Sequence, residues 1–175
     1  MSILKIARMG HPVLRVRARK LDAAEVKSPA FQKLVDDMIE TMREYEGIGL
    51  AAPQVHESVR LALIGIEEGH GEERAIRIVP VVNPEISPVG KDTDEDWEGC
   101  LSLPGLRGRV PRAHRVALKG LDRRGSKIEL DLLGYPARVA QHEIDHLDGV
   151  LFIDRMKSLE TLTFLEEYSR YQAAD

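Results

Sequence analysis

The stretch His142-Glu143-Ile144-Asp145-His146 constrains what this chain can fold into more than any other part of it. Gly134 and Pro136 precede it and Gly149 follows, so the punctuation brackets a helix that ends near Leu147. On a helix, residues four apart share a face. His142, Glu143 and His146 therefore stand together, and Ala137, Ala140, Ile144 and Leu147 form an apolar side. That stripe belongs against a core, with the polar groups aimed away from it. Two imidazoles one turn apart can reach one metal ion, and a carboxylate beside the first can take a proton from water on that ion. The competing reading is a charged helix face with incidental histidines.

The remainder of the chain suits one soluble domain, residues 1–175. Hydrophobic residues make up 43% and charged residues 31%, which excludes disorder as the general state. A net charge of -4 argues against a DNA-binding protein. The charge is uneven, however. Lys5, Arg8, Arg15, Arg17, Arg19 and Lys20 occur in the first twenty residues without any acid. Leu106 to Arg124 is also arginine-rich, with Asp122 its only acid. Such segments can meet phosphates or substrate carboxylates, although solvated faces are the commoner explanation. Cys100 is the single cysteine, so no internal disulfide forms. The start lacks a secretory signal and no apolar run reaches membrane-helix length, so a cytoplasmic location and no membrane contact are expected.

Ser28-Pro29 reads as a cap and first turn for a helix whose apolar face is Phe31, Leu34, Val35, Met38, Ile39 and Met42. Gly47 and Gly49 end it. Val59 to Ile66 and Ile76 to Val82 read as strands, and Pro80 suggests an edge position for the second. Glu67 to Arg74 reads as a charged turn, and Ser87 to Asp96 as a polar, acidic loop. Arg115 to Leu121 and Lys127 to Leu132 flank the hairpin turn Asp122-Arg-Arg-Gly125. A last helix is expected over Leu159 to Tyr171, with Leu162, Leu165 and Tyr168 inward. Strands without crossover helices make this an α+β chain with antiparallel pairing.

A catalytic zinc-type site usually has three protein ligands. Cys100, His11, His56, His70, His114 and a distant carboxylate are all candidates for the third. Gly99 beside Cys100 permits close backbone approach, and Pro104 marks an irregular segment. Gly47-Ile-Gly-Leu-Ala-Ala-Pro-Gln54 is not a phosphate loop, because no Lys-Ser/Thr follows it. Its small residues suit a wall beside a ligand, and Gln54 can donate an amide hydrogen bond to an oxyanion.

Gly47 to Gln54, Glu98-Gly-Cys-Leu-Ser102 and Gln141-His-Glu-Ile-Asp-His146 together resemble the three signature motifs of the peptide deformylase family, in that family's order. The resemblance runs from Ile6-Ala-Arg-Met-Gly-His-Pro-Val-Leu14 through Leu151-Phe-Ile-Asp-Arg155. It implies antiparallel sheets wrapped around a central metal-binding helix, with an N-terminal and a C-terminal helix. It implies Cys100, His142 and His146 as metal ligands and Glu143 as general base and acid. The Leu101 backbone N–H and the Gln54 side chain become the oxyanion donors. Gly49 and Gly99 lie along the peptide cleft, Ile48, Tyr135 and Val139 line a methionine pocket, and Arg107 touches substrate backbone or carboxylate. The implied reaction removes the formyl group from the initiator methionine of nascent polypeptides, with metal-bound water as nucleophile. The implied cofactor is one divalent ion, Fe(II) expected, with Zn, Ni and Co as alternatives.

His56, Tyr135 and Arg138 depart from residues frequent in the family. His56 reads as a loop variation, while Tyr135 and Arg138 bear on the size of the methionine pocket. The acidic C-terminal segment from Ser158 does not resemble a ribosome-docking tail, so any transient ribosome association falls to arginines near the ends of the cleft. Glu98 is expected as a supporting acid, and Asp145, off the metal face, as a partner for Arg112. Three rivals remain: another metal amidase or peptidase, a cysteine hydrolase using Cys100, and a structural metal site.

Overall fold

The computed structural model describes residues 2–68 and 75–172. Ser28 caps the long helix α2 (Pro29–Glu44), its hydroxyl accepting from the Phe31 N–H at 3.2 Å. Pro29 occupies the first turn, where no donor is needed. Phe31, Val35, Met38 and Met42 are buried along one face, as the periodicity predicts. Ahead of it lies a short helix, α1 (Ala23–Val26), closed by a capping box between Asp22 and Glu25 that the sequence reading passes over.

After α2 the chain forms β1 (Gly49–Ala51), β2 (Leu61–Glu68), β3 (Ala75–Pro88), β4 (Thr93–Cys100), β5 (Leu103–Ala113), β6 (Arg115–Leu121) and β7 (Lys127–Leu133). Helix α3 (Tyr135–Leu147) follows, then β8 (Thr163–Phe164) and α4 (Leu165–Tyr171). All strand pairs named here are antiparallel, in a five-stranded sheet β1-β2-β3-β6-β7 and a three-stranded sheet β4-β5-β8. Helix α3 touches β1, β2, β3, β6 and β7 of the first sheet and β5 of the second. The α+β architecture with a central helix is thus the one expected.

Several local expectations need correction. Thr93 to Asp96 is strand, not loop, because it pairs with the basic strand β5: Asp94 lies opposite Arg112 and Glu95 opposite Pro111. Pro104 stands inside β5 rather than in an irregular segment, although Gly105 at φ +74° kinks the strand there. Strand β3 is interior in the order, yet β6 pairing begins only at Val82. Pro80 therefore has a neighbour on the β2 side alone, opposite Leu63, and behaves as a local edge. The C-terminal helix is shorter than expected, since Thr163 and Phe164 extend the small sheet by pairing with Arg107 and Leu106. Leu162 still packs on the core, whereas Leu165 is 38% exposed. Residues 69–74 of the expected charged turn lie outside the described residues.

Candidate active site

Helix α3 is buried nearly all round. Ala137, Ala140 and Ile144 pack with Ile64, Val81, Val116 and Leu118 of the large sheet. Its polar side is equally covered, with Glu143 4% and His146 1% exposed. The polar face is therefore the floor of a cleft of about 1090 Å³, not a solvated surface. A helix sealed on both sides holds its side chains in fixed rotamers, which a catalytic constellation needs.

Cys100, at the end of β4, meets the helix there. Its Sγ is 3.2 Å from His146 Nε2, and one ligating atom from each of Cys100, His142 and His146 lies within 4.8 Å of the others. His114 instead bonds Asp94, His11 and His56 meet edge-on with centroids 4.7 Å apart, and His70 lies outside the described residues. The donor set fits a divalent ion. A soft thiolate and two imidazoles converge, with no fourth ligand in the group among the described residues, as a catalytic site requires. Burial would push the Cys100 thiol up, but the two histidines beside it hold it well below its usual range.

His142 Nδ1 hydrogen-bonds Glu98 Oε2 at 2.8 Å, leaving Nε2 for the ligand cluster. Glu98 is itself gripped. Arg112 donates to both its oxygens at 2.8 and 3.0 Å, and Arg138 donates at 2.9 Å. Burial would raise the Glu98 carboxyl, yet His142 and Arg112 hold it down to about 2. Arg112 also reaches Asp145 at 2.5 Å, as expected, and Arg155 bonds the same carboxylate at 2.7 Å. Arg138 was expected to bear on pocket size. It lines the cleft, and its guanidinium also ties α3 to Glu98 and to the carbonyls of Val110 (2.7 Å) and Asp94 (2.8 Å).

Glu143 stands apart from this network. Its Oε2 is buried without a hydrogen-bond partner among the described residues. Burial pushes its carboxyl up to about 7, outweighing the nearby histidines. Gln54, 1% exposed, accepts from the Ala51 N–H at 2.8 Å. That bond turns its amide nitrogen toward Cys100 Sγ at 3.5 Å and Ser102 Oγ at 3.4 Å. Leu101 follows Cys100 in the β4–β5 turn and lines the cleft.

Ile48, Gly49, Gly99, Arg107, Tyr135 and Val139, all named from sequence, line the same cleft. Tyr135 stays 52% exposed, which places it at the rim. Trp97, Tyr45 and Leu165 also line it and were not anticipated. Trp97 meets Tyr168 of α4 at 4.9 Å between centroids, so the C-terminal helix backs this wall. The one signal for Trp97 was its place one residue before Glu98.

At Gly49 a Cβ would come within 2.4 Å of Glu143 Oε1. Gly49→Ala is expected to displace that buried carboxylate and cut turnover about 10²-fold, since misplacing a reacting group by about 1 Å costs that much. Bound metal, measured alongside kcat, should change little, while the melting temperature should fall, because the Cβ would also come within 2.8 Å of Glu143 Cγ and Cδ.

An α+β chain that brings a thiol, two imidazoles, a glutamate and an amide into one cleft defines a candidate metallohydrolase. Comparison with known proteins makes this specific. Residues 3–162 match the family model described as polypeptide deformylase. The peptide deformylase of Leptospira biflexa is 39% identical over 170 residues, 95% of each chain. That of Halothermothrix orenii is 45% identical over 157 residues, covering 89% of this chain and 95% of the relative. A solved class I type b peptide deformylase of Acinetobacter baumannii, bound to Met-Ala-Ser, superposes with a TM-score of 0.81 at 38% identity. It covers 89% of this chain and 100% of its own. The chain belongs to the peptide deformylase family and is an enzyme of that kind.

Proposed function

We propose that residues 1–175 act as one catalytic domain that hydrolyses the formyl amide of N-formylmethionyl peptides, releasing formate. The observation that carries this reading is the buried Glu143 carboxyl, whose Oε2 has no hydrogen-bond partner among the described residues, beside the Cys100, His142 and His146 cluster on the cleft floor. The Acinetobacter relative is solved with Met-Ala-Ser bound, a peptide that begins with methionine.

Cys100, His142 and His146 would hold the divalent ion, Fe(II) by expectation, with Zn, Ni or Co also suited to these donors. When bound, such an ion supplies Lewis acidity that lowers the pKa of a water toward about 7. Glu143, its carboxyl raised by burial, accepts the proton of the attacking water and passes it to the departing amine. The Gln54 amide and the Leu101 N–H donate to the formyl oxygen as it gains charge. Ile48, Tyr135 and Val139 take the methionine side chain. Gly49 and Gly99 admit the peptide backbone, and Arg107 meets its backbone or carboxylate. The proposed setting is the cytoplasm, on nascent chains, with any visit to the ribosome transient. No helix among the described residues is long and apolar enough to cross a membrane.

The close Cys100–His146 pair favours one second reading, a cysteine nucleophile. Formate release from formyl-Met-Ala-Ser decides between them. The metal reading predicts loss on chelation and return with iron or cobalt added anaerobically, and no turnover of unformylated peptide. Indifference to chelators with irreversible loss on alkylation would establish the cysteine reading instead.

A further inference from the structure

The acid-free N-terminal segment is resolved by its pairings. Arg15 pairs with Asp154, Arg17 with Asp148, Arg19 with Glu25 and Lys20 with Glu85. Lys5 and Arg8 have no carboxylate partner among the described residues, and these two line the catalytic cleft. They are held there by a fixed strap. The Ser2 N–H donates to Asp37 at 2.9 Å, Leu4 to Thr41 at 2.8 Å, Ala7 to the Gln54 carbonyl at 2.7 Å and Met9 to the Ser102 carbonyl at 2.8 Å. Ile6 and Ala7 turn inward and are buried, which leaves Lys5 and Arg8 exposed beside the Gln54 and Ser102 wall. Of the acids that line the cleft, Glu98 is neutralised by two guanidiniums and Glu143 is buried. Among the described residues that line the cleft, Glu46 is the exposed carboxylate, against the cations Lys5, Arg8 and Arg107. The exposed part of the cleft around Lys5 and Arg8 is therefore net positive.

A formylated peptide carries no N-terminal ammonium, so its charge comes from downstream side chains. We propose that Lys5 and Arg8 form a cationic subsite that selects substrates with acidic residues after the methionine over those with basic ones. The inference rests on the deformylase reading and names the substrate class of that same cleft. The charges are exposed, so the preference is set by long-range attraction and weakens as salt shortens its reach.

The test uses the metal-loaded enzyme with formyl-Met-Ala-X amides, X being Glu, Gln or Lys, so that no terminal carboxylate intrudes. The expected kcat/KM ratio of the Glu to the Lys peptide is about fivefold to tenfold at 20 mM salt, falling toward one at 0.5 M. In the double variant Lys5→Glu with Arg8→Glu the ratio should fall below one; Lys5→Gln with Arg8→Gln should bring it near one. The ratio is internal to each preparation, so partial misfolding leaves it readable. A ratio of one in wild type at low salt, or one unchanged by both double variants, would overturn the subsite. A flat ratio with salt-sensitive inhibition by an RNA oligonucleotide would also overturn it, assigning the cations to nucleic acid. Failure to turn over even the Gln peptide would instead overturn the deformylase reading itself.

Discussion

Glu143→Ala should abolish most formate release, by about 10³-fold, while the protein keeps its fold and its metal. General acid–base catalysis by one positioned group contributes about 10² to 10⁴, and among the described residues no second carboxylate stands free beside the Cys100, His142 and His146 cluster to replace it. Fold retention follows from the same geometry. Glu143 Oε2 is buried without a partner among the described residues, so loss of that oxygen breaks no hydrogen bond there. Its carboxyl is raised from 4.5 to about 7 in the fold, so the folded state binds the proton more tightly than the unfolded one. Stability of the metal-free protein is therefore expected to fall as pH rises from about 4.5 through 7, by on the order of 3 kcal/mol. Glu143→Gln should lack that component and melt higher than wild type at pH 8. Formate release, metal content and thermal melts at pH 5 and 8 measure all of this. Wild-type turnover in a metal-loaded Ala variant would remove Glu143 from the chemistry.

The metal-helix and the large sheet were legible because their signals are local. Ser28-Pro29 and Gly134 to Gly149 punctuate two helices, and the alternation Ile128, Leu130, Leu132 marks β7. Strands β4 and β5 were illegible for the opposite reason. Strand β4 carries Asp94, Glu95, Asp96 and Glu98 and β5 carries Arg107, Arg109 and Arg112, with Glu98 paired to Arg112 across the two, while the apolar face they bury is sparse, chiefly Leu103 and Val110. Charge complementarity between distant segments leaves no periodicity to read. The same limit hid the clamp on the site: Arg138 reads from sequence as a pocket residue, but its partners Glu98, Val110 and Asp94 lie 28 or more positions away. Likewise β8 depends on pairing with β5 and not on its own composition, so the segment read as helix. The pairing of His142 with His146 was readable because helical spacing puts both on one face, whereas Cys100, which meets them in the fold, was one of several candidates until the family resemblance singled it out. The rim residues Trp97 and Tyr45 were not readable, since an aromatic residue at a cleft mouth resembles one in a core.

Glu98→Gln should be the most damaging single change away from the reacting groups. The carboxylate accepts from His142, Arg112 and Arg138 in a buried pocket, and both arginines are 7% or less exposed. An amide there presents a donor to a ring of donors and leaves two guanidiniums without their counter-charge. Breaking a buried ion pair from one side costs about 3–5 kcal/mol, a large share of a stability of about 5–15 kcal/mol. His142 also loses the acceptor that fixes its Nδ1 proton, which should weaken metal retention by about 10–100-fold. The pH dependence has a definite sign. Glu98 is lowered from 4.5 to about 2 on folding, so its stabilisation is full above 4.5 and is lost as pH falls toward 2. Wild type should therefore lose stability across that window, and Glu98→Gln should lose less because it has less to lose. Denaturant melts from pH 2 to 7, with the rate of metal transfer to a chelator at pH 7, separate the two roles. A variant with wild-type melts but fast metal loss would confine Glu98 to orienting His142. One with unchanged metal loss and poor stability would confine it to bracing α3 against β4 and β5. Wild-type behaviour in both would mean that the network around His142 holds neither the fold nor the metal.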